Sequence, residues 1–123
     1  MFLLLLLTTL LTPARATCTE SAALSVRSEV YLGRERDGRP VAGPRAWRRF
    51  LREDVTPGWP GFTVLEARGY WKDAPERSRI LVLLHAPGEE PRVNAVAEAY
   101  RVAFGQEAVF VVHAPVVTLV CET

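Results

Sequence analysis

The stretch that decides the fold is Ile80-Leu81-Val82-Leu83-Leu84-His85, in which five consecutive apolar residues precede a histidine. A short apolar run without alternation is typical of a central β-strand that is covered on both faces. Residues 73–76, with Pro75, precede it and have the length and composition of a hairpin connection. We therefore expect residues 80–85 to lie in the interior of a sheet and to pair with the strand before them.

Upstream of this hairpin connection, residues 62–71 alternate and predict that preceding strand. Before it, a helix begins at Pro44, since proline suits a first helical turn, and ends before Pro57. Residues 29–34 alternate, with Val30 and Leu32 on one face, and predict the first strand. The buried stripe of the helix has the spacing i, i+3, i+4 and i+8 and consists of Trp47, Phe50, Leu51 and Val55.

Downstream of the apolar run, a second amphipathic helix is predicted, with Gly105 as its C-terminal cap. A last strand follows over residues 108–112 and 116–120, broken at Pro115, because proline is tolerated at a sheet edge and not in a sheet centre. The apolar stripe of this helix consists of Val93, Val96, Ala97, Tyr100 and Phe104.

This order of elements predicts an α+β fold of the ferredoxin-like βαββαβ kind. Its four-stranded antiparallel sheet has the strand order 4-1-3-2, and both helices cover one face. The strand with Pro115 is then an edge strand. We expect a single domain over residues 29–123, preceded by a polar lead-in over residues 17–28.

Residues 1–16 have the pattern of a secretory signal peptide: a leucine-rich run, then Pro13 and Ala14-Arg15-Ala16. The run is shorter than the roughly 20 apolar residues that cross a membrane. We expect cleavage after Ala16 and export to the periplasm or the medium, with no transmembrane segment. Two alternatives stay open, lipoprotein processing at Cys18 and a retained anchor at the membrane surface.

Cys18 and Cys121 are the only cysteines of the chain. An even cysteine count in an oxidising compartment favours a disulfide. In the predicted sheet the end of strand 4 lies beside the start of strand 1, which brings the two residues together. Free thiols and a redox site are the alternatives, although the chain has no Cys-x-x-Cys motif.

The charge balance limits the kinds of partner. The chain has 15 basic and 14 acidic residues, for a net charge of +1, and without Arg15 the two numbers are equal. Such a domain supplies little attraction for phosphates, so we expect no nucleic-acid partner. No metal or cofactor motif is present, and we expect neither.

Several stretches resemble a bacterial secreted family called domain of unknown function 3574, from about Glu29 to the C-terminus. The resemblance implies an exported α+β domain and brings no activity, cofactor or catalytic residue. The matching residues are Val30-Tyr31-Leu32-Gly33, Trp47 with Phe50, Thr56-Pro57, residues 62–67, Gly69 with Trp71, Glu76-Arg77-Ser78, residues 81–85, Tyr100 and Phe104-Gly105-Gln106-Glu107.

The candidate site lies on the sheet face that the helices leave open. The alternation of residues 62–71 is expected to turn Leu65, Ala67, Gly69 and Trp71 toward the helices. The open face would then combine tyrosines, charges and a histidine. We expect it to serve as a ligand site, as the interface of a homodimer, or as a solvated face with cross-strand ion pairs. The candidate residues are Tyr31, Glu66, Arg68, Tyr70 and His85.

Two functions follow as hypotheses. The first is a non-catalytic exported domain that binds a small ligand or a second copy of itself through the open face. The second is a small enzyme of the dimeric α/β-barrel kind, with substrate enclosed between two open faces and Glu66 or His85 as general base. No catalytic residue is assigned.

Overall fold

The computed structural model describes residues 3–11 and 17–123. The first helix, α1, continues from Phe50 into a wider π-helical turn over Leu51–Val55, and a short 3₁₀ turn covers Ala22–Leu24. The elements are β1 (Thr17–Glu20), β2 (Val26–Gly33), β3 (Glu35–Arg36), β4 (Arg39–Pro40), α1 (Pro44–Phe50), β5 (Thr63–Trp71), β6 (Ala74–His85), α2 (Glu90–Ala103), β7 (Phe110–Pro115) and β8 (Leu119–Glu122).

The main sheet has four strands in the order β5-β6-β2-β7, and every neighbouring pair is antiparallel. The expected α+β architecture, with two helices and an antiparallel four-stranded sheet, is confirmed. The apolar run of residues 80–85 lies in β6, in the interior of the sheet. Pro115 is the last residue of the edge strand β7, where its missing N–H leaves no ladder bond unmade.

The core lies between the sheet and the helices. Trp47 and Phe50 of α1 stack on each other, and the ring of Tyr100 from α2 meets both edge-on. The apolar faces that the sequence predicts for the two helices therefore pack against the sheet. The buried sheet residues of this core are Val30, Leu32, Leu81 and Leu83, and α2 contributes Val93, Val96 and Ala97 as well as Tyr100.

The lead-in over residues 17–28 is more ordered than its polar composition suggests. β1 pairs with β8 as a two-stranded ribbon, and β2 begins at Val26. Within the ribbon Cys18 lies opposite Cys121, and the two form a disulfide. The expected disulfide is thus present, and it links the first strand of the described domain to the last.

The two faces of β5 are the reverse of the expectation. Directly opposed residues of antiparallel strands point to the same face. Val64 lies opposite Leu81 and Glu66 opposite Arg79, so Glu66, Arg68 and Tyr70 belong to the side of the helices. The expectation was wrong because the register between β5 and β6, and not the alternation of β5 alone, decides which face meets the helices. The buried Arg79 requires an acidic partner, and Glu66 provides it.

Residues 3–11 form neither helix nor strand, and their leucine side chains are exposed. The expected cleavage after Ala16 lies outside the described residues. Within residues 3–11 and 17–123 no helix has the length and hydropathy needed to cross a membrane.

Candidate functional site

The five residues predicted as a site do not share one surface. Tyr31 lies on the open face, because it is opposite Ile80 and Phe110 there. His85 is opposite Val26 on the helix side and is buried. Glu66, Arg68 and Tyr70 lie on the helix side of the outermost strand, and Tyr70 is 75% exposed. The predicted open-face site is therefore divided between both sides of the sheet.

Glu66 has a structural role in this arrangement. Arg79 is buried, and its guanidinium lies over the Trp47 ring at 4.4 Å. It donates to the Ala42 carbonyl oxygen at 2.9 Å and to Glu66 at 3.3 Å. Burial lowers the pKa of Arg79, the nearby Arg34 lowers it further, and the hydrogen bond to Glu66 opposes both. Glu66, which is itself exposed, thus compensates the charge of the buried Arg79.

A polar cluster on the helix side was not predicted. Ser28 Oγ lies 2.6 Å from His85 Nε2 and 2.7 Å from His113 Nδ1. Ser28 is fully buried and His85 nearly so. The sequence separates Ser28 from the histidines by 57 and 85 residues, and only the strand order β6-β2-β7 brings them together.

The hydrogen bonds of His85 determine its tautomer. The Ala86 carbonyl oxygen, 2.8 Å from His85 Nδ1, can only accept, so Nδ1 carries a hydrogen. In the neutral ring Nε2 is then an acceptor, and the Ser28 hydroxyl donates to it. Ser28 Oγ also lies 2.7 Å from His113 Nδ1, and His113 Nε2 lies 2.9 Å from the Oδ1 of Asn94, which can only accept. The cluster resembles a serine–histidine pair, but the burial of Ser28 keeps a substrate from its oxygen.

The open face carries a groove at the end where β2 finishes. Two successive rows of small side chains form its floor, and larger aromatic residues stand on either side of these rows. Tyr31 and Phe110 lie on one side, and Trp71 lies on the other. The volume of the groove is about 670 Å³. The floor residues are Gly33, Ser78 and Gly69, with Glu76 opposite Gly69.

The hairpin of β5 and β6 reaches across the groove. Trp71 belongs to one edge strand and Phe110 to the other, which lie about 14 Å apart in a flat sheet. Their ring centroids are nevertheless 5.8 Å apart, and Trp71 Nε1 donates to Glu107 at 3.0 Å. Lys72 also pairs with Glu107. The sheet therefore coils so that the hairpin end roofs one end of the open face.

Two acceptor groups face the floor at Gly33. A Cβ at this position would collide with both Glu76 Oε1 and Gln106 Oε1, so both oxygens lie directly against its Cα. The Gln106 amide nitrogen donates to the carbonyl oxygens of Glu35 and Phe104 at 3.1 and 3.2 Å, which fixes the orientation of the amide. Gln106 is 9% exposed, and among the described residues no donor reaches its Oε1.

The electrostatics of the groove centre on Glu76. Burial raises the pKa of this carboxyl, the Glu35 backbone N–H lowers it, and the Glu35 carboxylate raises it. No basic side chain contributes to the shift. In the described part of the chain, no group of three His, Cys, Asp or Glu side chains is placed to hold a metal ion. The groove thus presents negative charge and hydrogen-bond acceptors between aromatic walls.

Comparison with known proteins gives a family and a similar fold. The model of a family described as "Protein of unknown function (DUF3574)" matches residues 27–119, so the resemblance noted in the sequence is confirmed. No curated protein matches the sequence.

Among solved structures, the fold is similar to one described as a phage SAM lyase in its apo state. The two chains are 16% identical, with a TM-score of 0.62, over 84% of this chain and 91% of the phage protein. At this identity the likeness concerns the fold alone.

Proposed function

Since the chain belongs to the DUF3574 family, whose description names no activity, we propose from its own residues that it is a non-catalytic binding domain. It pairs with a second copy of itself through the open face of its sheet. The observation that carries this proposal is a set of exposed apolar side chains on β5, β6 and β7, on the face of the sheet that no helix covers.

This surface is built from successive cross-strand rows. Val82 and Val112 flank Glu29 in one row, and Ile80 and Phe110 flank Tyr31 in the next. A large exposed apolar area on a sheet is unusual for a monomeric protein, because such areas mark interaction sites. The large apolar residues exposed on it are Leu65, Trp71, Leu84, Phe110 and Val112.

A second copy is the partner that the charges of this face favour. Arg27 pairs with Glu29 at 2.9 Å, and the Tyr31 hydroxyl donates to Glu29 as well. These charges compensate each other within one chain. In an isologous contact each copy presents the same surface, so the rows around Glu29, whose charges compensate each other, can meet their copies without repulsion, whereas the unpaired Glu76 lies at the groove end of the face.

The burial of the serine–histidine cluster supports a non-catalytic role. Ser28 and His85 would be the natural nucleophile and base, and they are 0% and 2% exposed. Their hydrogen bonds already link three strands of the sheet. The cluster is therefore better suited to hold β6, β2 and β7 in register than to attack a substrate.

Two further inferences accompany this proposal. A ferredoxin-like βαββαβ topology is supported by the chain order β2, α1, β5, β6, α2, β7. Export is supported by the leucine-rich leader and by the disulfide between Cys18 and Cys121, which persists in oxidising compartments. Mass spectrometry of the secreted or periplasmic protein tests export, and an unprocessed intracellular chain with free thiols would contradict it.

Analytical ultracentrifugation tests the self-association. We expect the wild-type protein to sediment as a dimer, and Leu84→Asp and Val112→Asp to sediment as monomers with unchanged circular dichroism. Val102→Asp is the matched control, because Val102 is 66% exposed on α2, away from the open face. A monomeric wild-type protein at high concentration would overturn the proposal, and so would dimeric Leu84→Asp and Val112→Asp variants.

An enzyme is the second candidate, and Glu76 favours it. A partly buried carboxyl with a raised pKa suits a general base, and it lies in a groove of a fold that a phage SAM lyase shares. Incubation with S-adenosylmethionine, followed by chromatography, tests this candidate. Substrate loss with the wild-type protein but not with Glu76→Gln would support it, and no loss above the buffer rate would exclude this substrate.

A further inference from the structure

We propose that the groove at Gly33 binds a small organic cation whose N–H groups lie on a flat apolar body, as in an arylamidinium or arylguanidinium compound. Glu76 and Gln106 receive the N–H groups, and Tyr31, Trp71 and Phe110 contact the flat body. All these residues belong to one chain, so the site exists in the monomer, although Trp71 and Phe110 also lie on the surface proposed for self-association and a second copy would compete for them.

The first step of the argument is the orientation of Gln106. Both hydrogens of its amide nitrogen are used by the carbonyl oxygens of Glu35 and Phe104. Its oxygen must therefore point the other way, toward Gly33 and the groove. The amide is thus held in one orientation on a residue that is nine-tenths buried, and its free oxygen is open to a donor from a ligand in the groove.

The second step is the shared position of the two acceptors. Glu76 Oε1 and Gln106 Oε1 both lie against the Cα of Gly33, and no side chain separates them because residue 33 is a glycine. Two adjacent acceptors suit a planar group with two N–H donors. The rigid fork of an amidinium or guanidinium matches such a pair of oxygens.

The third step is the charge of the lining. Four acidic and two basic side chains line the groove. Lys72 pairs with Glu107 at 3.2 Å, whereas Arg36 is 4.0 Å from Asp37 and its guanidinium lies over Gly105 at the groove. Glu35 and Glu76 are left without a basic partner in the part of the chain that the structure describes. The lining thus has an excess of negative charge, which attracts a cation and disfavours an anion.

The fourth step is the aromatic surround. Trp71 and Phe110 meet at 5.8 Å, and Tyr31 lies opposite Phe110 on the neighbouring strand. Aromatic faces contact flat apolar groups and attract cations through their ring electrons. These walls distinguish an aromatic cation from an inorganic one, which would gain nothing from them.

Benzamidine is the probe for this site, with benzamide and benzoate as its neutral and anionic analogues. Titration followed by ¹H–¹⁵N NMR should show saturable benzamidine binding at millimolar concentrations, with shifts at Gly33, at the Gln106 amide and at the Trp71 indole. We expect benzamide to bind about tenfold more weakly, the factor that separates a charged from a neutral hydrogen bond of this kind. Benzoate should not bind.

The benzamidine affinities of single-residue variants test whether the compound binds in the groove. Glu76→Gln should weaken benzamidine binding about tenfold, and Gly33→Ala should abolish it because the new methyl group would displace both acceptor oxygens. The matched controls are Glu122→Gln and Gly61→Ala, which lie outside the groove, and both should bind like the wild type. Thermal unfolding of each variant shows that it is folded. If Gly33→Ala is unfolded, Glu76→Gln alone decides.

Three results would overturn the inference. They are the absence of saturable benzamidine shifts, benzoate binding as tight as that of benzamidine, and unchanged affinity in Glu76→Gln. Leu84→Asp separates this site from the proposed self-association, since a monomeric Leu84→Asp protein should retain the groove. Binding by that variant together with a monomeric wild type would leave the cation site standing and remove the dimer.

Discussion

The two sides of β2 differ in how far their polar groups are satisfied. On the helix side, Ser28 bonds to two histidines, and the Tyr100 hydroxyl of α2 donates to the Gly33 carbonyl at 2.6 Å. On the open side, Glu76 has no basic partner and Gln106 Oε1 has no donor among the described residues. One strand thus separates a polar network closed by side chains from acceptors that face a groove.

This difference indicates where stability and where function lie. Polar groups that are fully paired in a core fix the register of strands and leave nothing for a ligand. Acceptors that face a groove without a protein donor are open to a donor from a ligand or from water. Changes on the helix side should therefore alter folding, whereas changes on the open side should alter binding with little loss of stability.

The largest expected effect compares the neighbours Leu83 and Leu84. Leu83 is fully buried on the helix side, and Leu84 is 39% exposed on the open side. Leu83→Ala should lower the free energy of unfolding by about 2–5 kcal/mol, because it leaves a cavity in the core. Leu84→Ala should cost less than about 1.5 kcal/mol in the monomer. Urea denaturation at low protein concentration measures both, and equal losses would mean that the open face is covered within one chain.

The next effect concerns Tyr100 and alkaline pH. Burial raises the pKa of Tyr100 to about 12 from an ordinary value of 10.0. Since the folded chain favours the neutral phenol, its contribution is complete below pH 10 and is lost as pH rises toward 12. The full loss is about 2–3 kcal/mol.

Tyr100→Phe isolates this contribution. The variant should lose about 1 kcal/mol at pH 8, where the wild type keeps its hydrogen bond to Gly33, and should show a shallower decline above pH 10. Thermal unfolding between pH 8 and 11 measures both effects. Tyr70→Phe, at an exposed position, is the control and should keep the wild-type decline. An equally steep decline in Tyr100→Phe would assign the alkaline transition to another group.

Local patterns predicted the elements and the core because both depend on neighbours in sequence. The spacing of Trp47 and Phe50 and of Val93 and Tyr100 identified the helix faces that pack on the sheet. Gly105, expected as a helix cap, has a φ of +60°, the left-handed conformation that favours glycine.

The candidate site was less predictable because it depends on pairing between distant strands. The alternation of β5 contains two equivalent faces, and the choice between them depends on β6, where Val64 meets Leu81 and Glu66 meets the buried Arg79. The Ser28 cluster likewise needs the strand order, which joins residues 57 and 85 positions apart. The groove depends on the coiling of the hairpin that brings Trp71 to Phe110. No local pattern specifies that coiling.

A smaller effect is expected for Ser28. Ser28→Ala removes the donor to His85 Nε2 and leaves a buried acceptor without a partner, which should cost about 1–3 kcal/mol. Ser78→Ala, on the open side of β6, is the control and should cost little, because Ser78 makes no side-chain hydrogen bond with the described residues. Chemical denaturation measures the difference. A neutral Ser28→Ala would show that the cluster does not stabilise the helix side.

The smallest effect concerns Glu76. Here the substitution is expected to stabilise the fold, whereas the substitutions above destabilise it. Because burial raises the pKa of Glu76 above its ordinary value of 4.5, the folded chain favours the protonated carboxyl. This contribution is complete below pH 4.5 and is lost as pH rises through the raised pKa, so the ionised group destabilises the fold near neutrality. Glu76→Gln should therefore raise the melting temperature slightly at pH 7, and the gain should vanish at pH 4. Glu122→Gln should show neither change. A lower melting temperature for Glu76→Gln at pH 7 would mean that Glu76 supports the fold, and the contrast between the two sides of β2 would then fail at its central residue.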